Sequence, residues 1–237
     1  MQISERIESL APSATLVMAQ KAQELKAQGV DVISMSVGEP DFFTPDHIKE
    51  AAKRAIDENY SYYTPVPGLL SLRKAICGKL KKENGHDFAP EQILVCTGAK
   101  QALCNVILAT INPGDAVIIP TPAWVSYVQM VNLAEGKSVL VEAGVDQNFK
   151  ITAEQLKAAI TDKTRILLRC SPSNPTGGVY SREELKALAD VLADYPDILI
   201  LSDEIYEHVN YTGEFNSISQ FESVRERCVI VNGVSKA

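Results

Sequence analysis

A chain of 237 residues, 46% hydrophobic and 22% charged, carries enough apolar side chain for one main buried core and has the composition of a folded globular protein rather than a disordered or fibrous one. Its formal charge of −7 argues against a general nucleic-acid or acidic-membrane surface, since a polyanion is not drawn to such a protein at long range, but leaves room for a local anion site. No apolar run approaches the ~20 residues of a bilayer span and the N-terminal MQISERIESLAPSA lacks the apolar stretch of a secretion signal, so a cytoplasmic protein is expected.

The chain opens with a long helical stretch, SATLVMAQKAQELKAQG, closed by Gly29. VISMSVG then reads as a strand, and helices follow near 45–58 and 69–83. From about residue 92 short apolar runs alternate with amphipathic stretches, the pattern of a mostly parallel sheet flanked by helices. The expected strands are ILVCT (93–97), AVIIP (116–120), SVLVE (138–142), RILLRC (165–170), ILILSD (198–203) and CVIVN (228–232). Helices are expected near 100–110, 123–134, 153–160 and 182–193, the last behind a capping box formed by Ser181 and Glu184. The resulting fold class is α/β.

The five cysteines, Cys77, Cys96, Cys104, Cys170 and Cys228, are scattered and odd in number, so buried reduced thiols are expected rather than disulfides or a metal site. His47, His86 and His208 share no ligand spacing and read as exposed or hydrogen-bonded side chains.

Ligands of open parallel sheets bind beyond the carboxyl ends of the strands. The residues there are Gly98-Ala99-Lys100, Thr121 to Trp124, Ser171 to Pro175, Asp203 to Tyr206, and Ser235-Lys236. In GAKQAL a strand gives way to a helix whose free N–H groups suit an anion, although glycine at such a place is more often a plain turn. Asp203 is a carboxylate delivered by an apolar strand. It is either paired structurally or a counter-ion for a protonated ring nitrogen. Tyr206 and Asn174 offer a hydroxyl and an amide, Asn174-Pro175 is a candidate cis peptide, and Trp124 offers a flat face. Lys236 follows a buried strand. Taken with the other groups it suggests an amine that forms an imine with the aldehyde of a phosphorylated pyridine, pyridoxal phosphate.

The stretches SVGEPDF (36–42), YYTPVPGLLSLRKAI (62–76), GAKQAL (98–103), PAWVSY (122–127), SPSNPTGGVYSREEL (171–185), SDEIYEHVNY (202–211) and VNGVSKA (231–237) resemble the class I/II pyridoxal-phosphate aminotransferases of fold type I, nearest the bacterial aspartate aminotransferase branch. The resemblance implies that Lys236 is the Schiff-base lysine, Asp203 the partner of the pyridine nitrogen, and Asn174 and Tyr206 partners of the phenolic oxygen. Trp124 would stack on the ring and also touch substrate. Gly98, Ala99 and Lys100 would form the phosphate turn beside Ser235, and Tyr63 would reach a phosphate across a homodimer interface. Gly38 and Asn174 would meet the substrate, and Thr15 and Lys100 would hold an acidic side chain.

Many relatives carry a phosphate-binding serine where Gly233 stands. They also continue past the lysine, so the resemblance covers the front portion of such an enzyme. It implies an arm and partial small domain over 1–45 and a large cofactor-binding domain over 46–237, incomplete at its C-terminus. The activity implied is amino transfer between an amino acid, aspartate or another acidic or aromatic one, and a 2-oxo acid. A cofactor-binding sensor without activity, or another reaction at the α-carbon, stays open at this stage.

Overall fold

The computed structural model describes residues 2–236. Their contacts form two units, Met1–Met18 with Thr97–Ala237, and Ala19–Cys96.

The first unit is built on five parallel strands: β1 (Ala116–Thr121), β2 (Lys137–Glu142), β3 (Thr164–Cys170), β4 (Leu199–Asp203) and β5 (Cys228–Val231), in the order β2-β1-β3-β4-β5. Its helices are the short α1 (Glu5–Glu8), the start of α2 (Ala14–Ala27), α5 (Gly98–Thr110), α6 (Ser126–Leu133), α7 (Ala153–Ala159), α8 (Arg182–Ala193) and α9 (Glu222–Arg225). Each central strand is apolar on both faces because helices cover both, as parallel sheets require. Val117, Ile119, Ile166, Leu168, Leu201 and Val231 pack against Leu103 and Ile107 of α5 and Met130 and Val131 of α6. Their alternate neighbours Ile118, Leu167 and Ile200 pack against Leu156 of α7 and Leu185, Leu188 and Leu192 of α8. Full burial of each such side chain contributes about 1.5–3 kcal/mol, which makes these two layers the principal source of stability.

The caps follow the sequence closely. Ser181 accepts from the Glu184 N–H at 3.2 Å while the Glu184 carboxylate takes the Ser181 N–H at 2.7 Å, and Thr152 with Gln155 opens α7 in the same way. At the far end of α8, Arg227 donates to the carbonyls of Leu192, Tyr195 and Ile198 at 2.6, 3.1 and 2.7 Å, which satisfies backbone groups a helix terminus leaves open.

The second unit holds the rest of α2, α3 (Asp46–Asp57) and α4 (Leu70–Asn84). Gly85, at φ +71°, ends α4 in the left-handed conformation that glycine adopts without strain. Arg73 ties the unit together, giving Nε to the Gly68 carbonyl and Nη1 to that of Pro90 at 3.2 and 2.8 Å.

Two expected strands do not form. Residues 93–97 form no ladder, and the Val95 N–H bonds the Pro67 carbonyl instead. VISMSVG is also irregular, with Ile33 86% and Met35 90% exposed. Both runs have strand-like side chains. A strand also needs a neighbour to take its backbone groups, and among the described residues neither run has one. The five cysteines are free thiols, half-buried rather than fully buried. His86, expected to be exposed or hydrogen-bonded, is buried beside Phe88 with ring centroids 5.6 Å apart.

Candidate active site

The strand order fixes where a ligand fits. From β1 the chain crosses outward to β2, then returns past β1 to β3, so the direction of winding reverses between β1 and β3. That reversal opens a crevice at the carboxyl ends. The β1–β3 ladder ends at Ile118 and Leu167, whereas β1 continues beside β2 to Thr121 and β3 beside β4 to Cys170. Beyond that fork lies a cavity of about 20 Å³ whose walls include Pro120, Cys170, Asn174 and Tyr180.

Asp203 ends β4 and is 3% exposed. One carboxylate oxygen accepts the Tyr127 hydroxyl at 2.6 Å and the other the Ile205 N–H at 3.2 Å. Burial raises its pKa above the ordinary carboxylate value, against the pull of these two donors and of the nearby Arg169 guanidinium. No described cation lies within ion-pair distance of it. The same burial raises the Tyr127 hydroxyl, which stays a protonated donor.

Beside the carboxylate, Asn174 donates its amide to the Tyr206 hydroxyl at 3.3 Å, so two groups from the ends of β3 and β4 meet. The Asn174–Pro175 bond is cis, as are Thr121–Pro122 and Ser171–Pro172. Cys170 gives its thiol hydrogen to the Pro172 carbonyl at 3.1 Å, and burial pushes its pKa up to about 12, so it is an inert packing group.

On the opposite side of the crevice Trp124 is half-buried and meets the Tyr127 ring edge-on, centroids 5.5 Å apart and planes at 87°. Lys100 Nζ lies 4.9 Å from the Trp124 ring centre, a cation–π contact. Gly98 begins α5 at φ +82° with nothing within 4 Å of the place a Cβ would take; Gly98 and Lys100 are exposed, while Ala99 is half-buried against the core. Thr97, just before it, has its N–H taken by the Gln101 side chain at 2.5 Å.

β5 lies beside β4 with Val231 opposite Asp203. After the turn at Asn232-Gly233, a single 3₁₀ turn over Val234–Lys236 leaves Ser235 exposed and Lys236 half-buried. Thr15 sits at the start of α2 with its hydroxyl 3.0 Å from that of Ser13. Gly38 and Tyr63 belong to the second unit, where Tyr63 is wholly exposed.

Sequence reasoning missed Tyr127, although it falls one helical turn after Trp124, a spacing that puts both side chains on one face. It also missed the buried polar chain behind Asp203. Arg169, paired in register with Ser202, gives Nη1 to the Ser202 hydroxyl at 2.9 Å. Ser202 donates to Glu204 at 2.9 Å, and Ser217 donates to the same Glu204 oxygen at 2.6 Å.

The family model for aminotransferases of class I and II matches residues 30–237. An aspartate/prephenate aminotransferase of Nitrosomonas europaea is 49% identical to this chain, over all of the chain and 60% of that protein. The aspartate aminotransferase of Bacillus subtilis is 49% identical over all of the chain and 61% of its own length. Among solved structures, the aspartate aminotransferase of Rhizobium meliloti superposes with a TM-score of 0.96 at 44% identity, over the whole of this chain and 60% of that one. The Thermus thermophilus aspartate aminotransferase with maleate gives 0.95 at 43%, over the whole of this chain and 61% of that one. The chain thus spans about 60% of the length of these relatives. An all-parallel sheet whose strand ends gather a buried carboxylate, an amide–hydroxyl pair and an aromatic plate agrees with that match, and the chain belongs to the aminotransferase class I and II family.

Proposed function

We propose that this chain belongs to a pyridoxal-phosphate-dependent aminotransferase that moves an amino group between an amino acid, aspartate foremost, and a 2-oxo acid. The observation that carries the reading is Asp203, a buried carboxylate with two hydrogen-bond donors and no described cation in ion-pair range. A buried anion left so is costly, and the protonated ring nitrogen of a pyridine cofactor supplies the missing charge.

The other donors suit the same group. Asn174 and Tyr206 are adjacent hydrogen-bond donors for its phenolic oxygen, Trp124 offers a ring face, and the first turn of α5 at Gly98, Ala99 and Lys100, with Ser235, offers N–H and hydroxyl groups for phosphate. When bound, the cofactor withdraws the electron pair left at the substrate α-carbon. Asp203 keeps the ring nitrogen protonated, and Tyr127 holds the carboxylate in place. Lys236 would hold the cofactor through its amine, and that amine would take the proton from the substrate α-carbon and return one. Gly38 and Asn174 orient the substrate α-carboxylate. Lys100 and Thr15 select an acidic side chain, a preference that fits the substrates named for the relatives.

The working form is a homodimer in which Tyr63 reaches the phosphate in a second copy. Within the second unit Tyr63 is joined by Phe42, Phe43 and Val66, each at least 86% exposed, and apolar groups so displayed suit a protein interface. A cytoplasmic setting is part of the reading, since five free thiols fit a reducing compartment.

The test is the absorbance of purified protein with pyridoxal phosphate before and after borohydride, for wild type and Lys236→Ala, followed by addition of aspartate. A reducible visible band that needs Lys236 and is bleached by aspartate is expected. A band indifferent to Lys236 would refute the assignment.

A further inference from the structure

Arg169 is the least satisfied charged group among the described residues. It is 2% exposed, its Nη1 is bonded to Ser202 and its guanidinium lies 5.1 Å from the Tyr180 ring centre, yet its Nε and Nη2 are buried without a partner. Orphaned guanidinium donors in a protein interior are costly, and the usual remedy is an ordered ligand. The cavity at the β1–β3 fork, which Arg169 helps to line, is the place for one. Its volume of about 20 Å³ suffices for a single water and for little more.

The surroundings identify the occupant. One polar chain already reaches the cation, Glu204 through the Ser202 hydroxyl, and a cavity of about 20 Å³ is too small for a carboxylate or a phosphate. A single neutral dipole fits that volume and accepts from the buried Arg169 donors without adding charge. The cavity wall also includes Asn174, whose Nδ2 is committed to Tyr206 and whose Oδ1 accepts no bond from a described residue. A water taking hydrogens from Arg169 has two of its own to give, and Asn174 Oδ1 is a suitable recipient. The segment above is closed tightly. Tyr180 N–H bonds the Ser171 hydroxyl at 3.3 Å, and a Cβ on Gly178 would come within 3.2 Å of the Asn148 carbonyl oxygen.

We infer that this cavity is a built site for one water molecule and that Arg169, through that water, is a positioning residue for Asn174. The role rests on the proposed function, because it is toward the cofactor's phenolic oxygen that Asn174 is aimed. Fixing Oδ1 on the water side fixes Nδ2 on the Tyr206 side, so the amide presents a donor rather than an acceptor to that oxygen. Donors there favour the anionic oxygen and lower the pH midpoint of the visible band of the lysine-bound cofactor.

The experiment uses the full-length holoenzyme, as wild type, Arg169→Met and Arg169→Lys. A crystal structure of the wild type is expected to show one water bonded to Arg169 and to Asn174 Oδ1. A dry cavity, or Nε and Nη2 turned onto a carboxylate, overturns the proposal. Both variants are expected to raise the band's midpoint by roughly half a pH unit or more, the size of effect one ordinary hydrogen bond confers. Lysine keeps the charge and loses the planar fork. A Lys variant with the wild-type midpoint therefore reduces the effect to charge and overturns the water relay, as does an unmoved midpoint in both. Should the Met variant fail to fold, the Lys variant carries the comparison. Failure of the underlying reading is distinguishable: the wild type itself then shows no Lys236-dependent band.

Discussion

Tyr127, in the first turn of the helix after β1, places its hydroxyl 2.6 Å from the Asp203 carboxylate at the end of β4, two strands away in the sheet. The contact joins the β1 and β4 sides of the crevice. Tyr127→Phe removes the donor and leaves the ring. The carboxylate then keeps only the Ile205 N–H, and a loss of about 1–3 kcal/mol in folding stability at neutral pH is expected by urea unfolding.

Replacing Asp203 with Asn keeps the shape and deletes the charge that the cofactor's ring nitrogen requires. Under the proposed function, α-proton removal slows by about 10²–10³-fold, in line with the loss of one partner of a buried ion pair. Single-turnover loss of deuterium from the substrate α-carbon measures it. A rate within threefold of wild type would contradict the role given to Asp203.

Glu204 supplies a pH dependence. Burial pushes its pKa up from 4.5 to about 7, against the hydrogen bonds of Ser217 and Ser202 and the attraction of Arg169. The folded state therefore holds a proton that the unfolded chain gives up between these values. Stability falls as the pH rises from about 4.5 to about 7, by an amount on the order of a few kcal/mol. Glu204→Gln flattens this part of the stability curve, which chemical denaturation across the window reads directly.

Arg227 caps the end of α8 with three charge-assisted bonds to main-chain carbonyls. Arg227→Met is expected to cost about 2–4 kcal/mol and to lower the melting temperature, while leaving the cofactor's spectrum unchanged because the residue lies at the amino-terminal approach to β4 and β5. A spectral change would mean that the end of α8 is coupled to the site.

If a second copy completes each site, Tyr63→Ala and Lys236→Ala in full-length chains are separately inactive or nearly so. Mixing and refolding the two restores activity, because a heterodimer holds one site with both residues intact. Activity no greater than the sum of the two parents would dispose of the shared-site arrangement.

Much of this was legible in the sequence. AVIIP, RILLRC, ILILSD and CVIVN announce buried parallel strands because both faces are apolar, and Ser181 with Glu184 announces a helix start because the hydrogen bonds involved are local. The residues at the strand ends could likewise be named in advance, since a parallel sheet delivers them to one edge. ILVCT and VISMSVG misled because a strand exists only with a partner, and side-chain pattern alone cannot supply one. Tyr127 and Arg169 stayed hidden for a related reason. Their importance lies in Asp203 and Ser202, reached 76 and 33 residues along the chain, and no local spacing reports such meetings.

The parting of β1 from β3 after Ile118 and Leu167 has a consequence for how such a protein changes over time. Below the fork, a substitution disturbs two packed layers and a shared ladder, and most alterations there are harmful. Above it, the segments leaving β1 and β3 no longer share backbone hydrogen bonds, so selection can reshape the binding pocket one segment at a time while the framework beneath goes on tolerating the experiment.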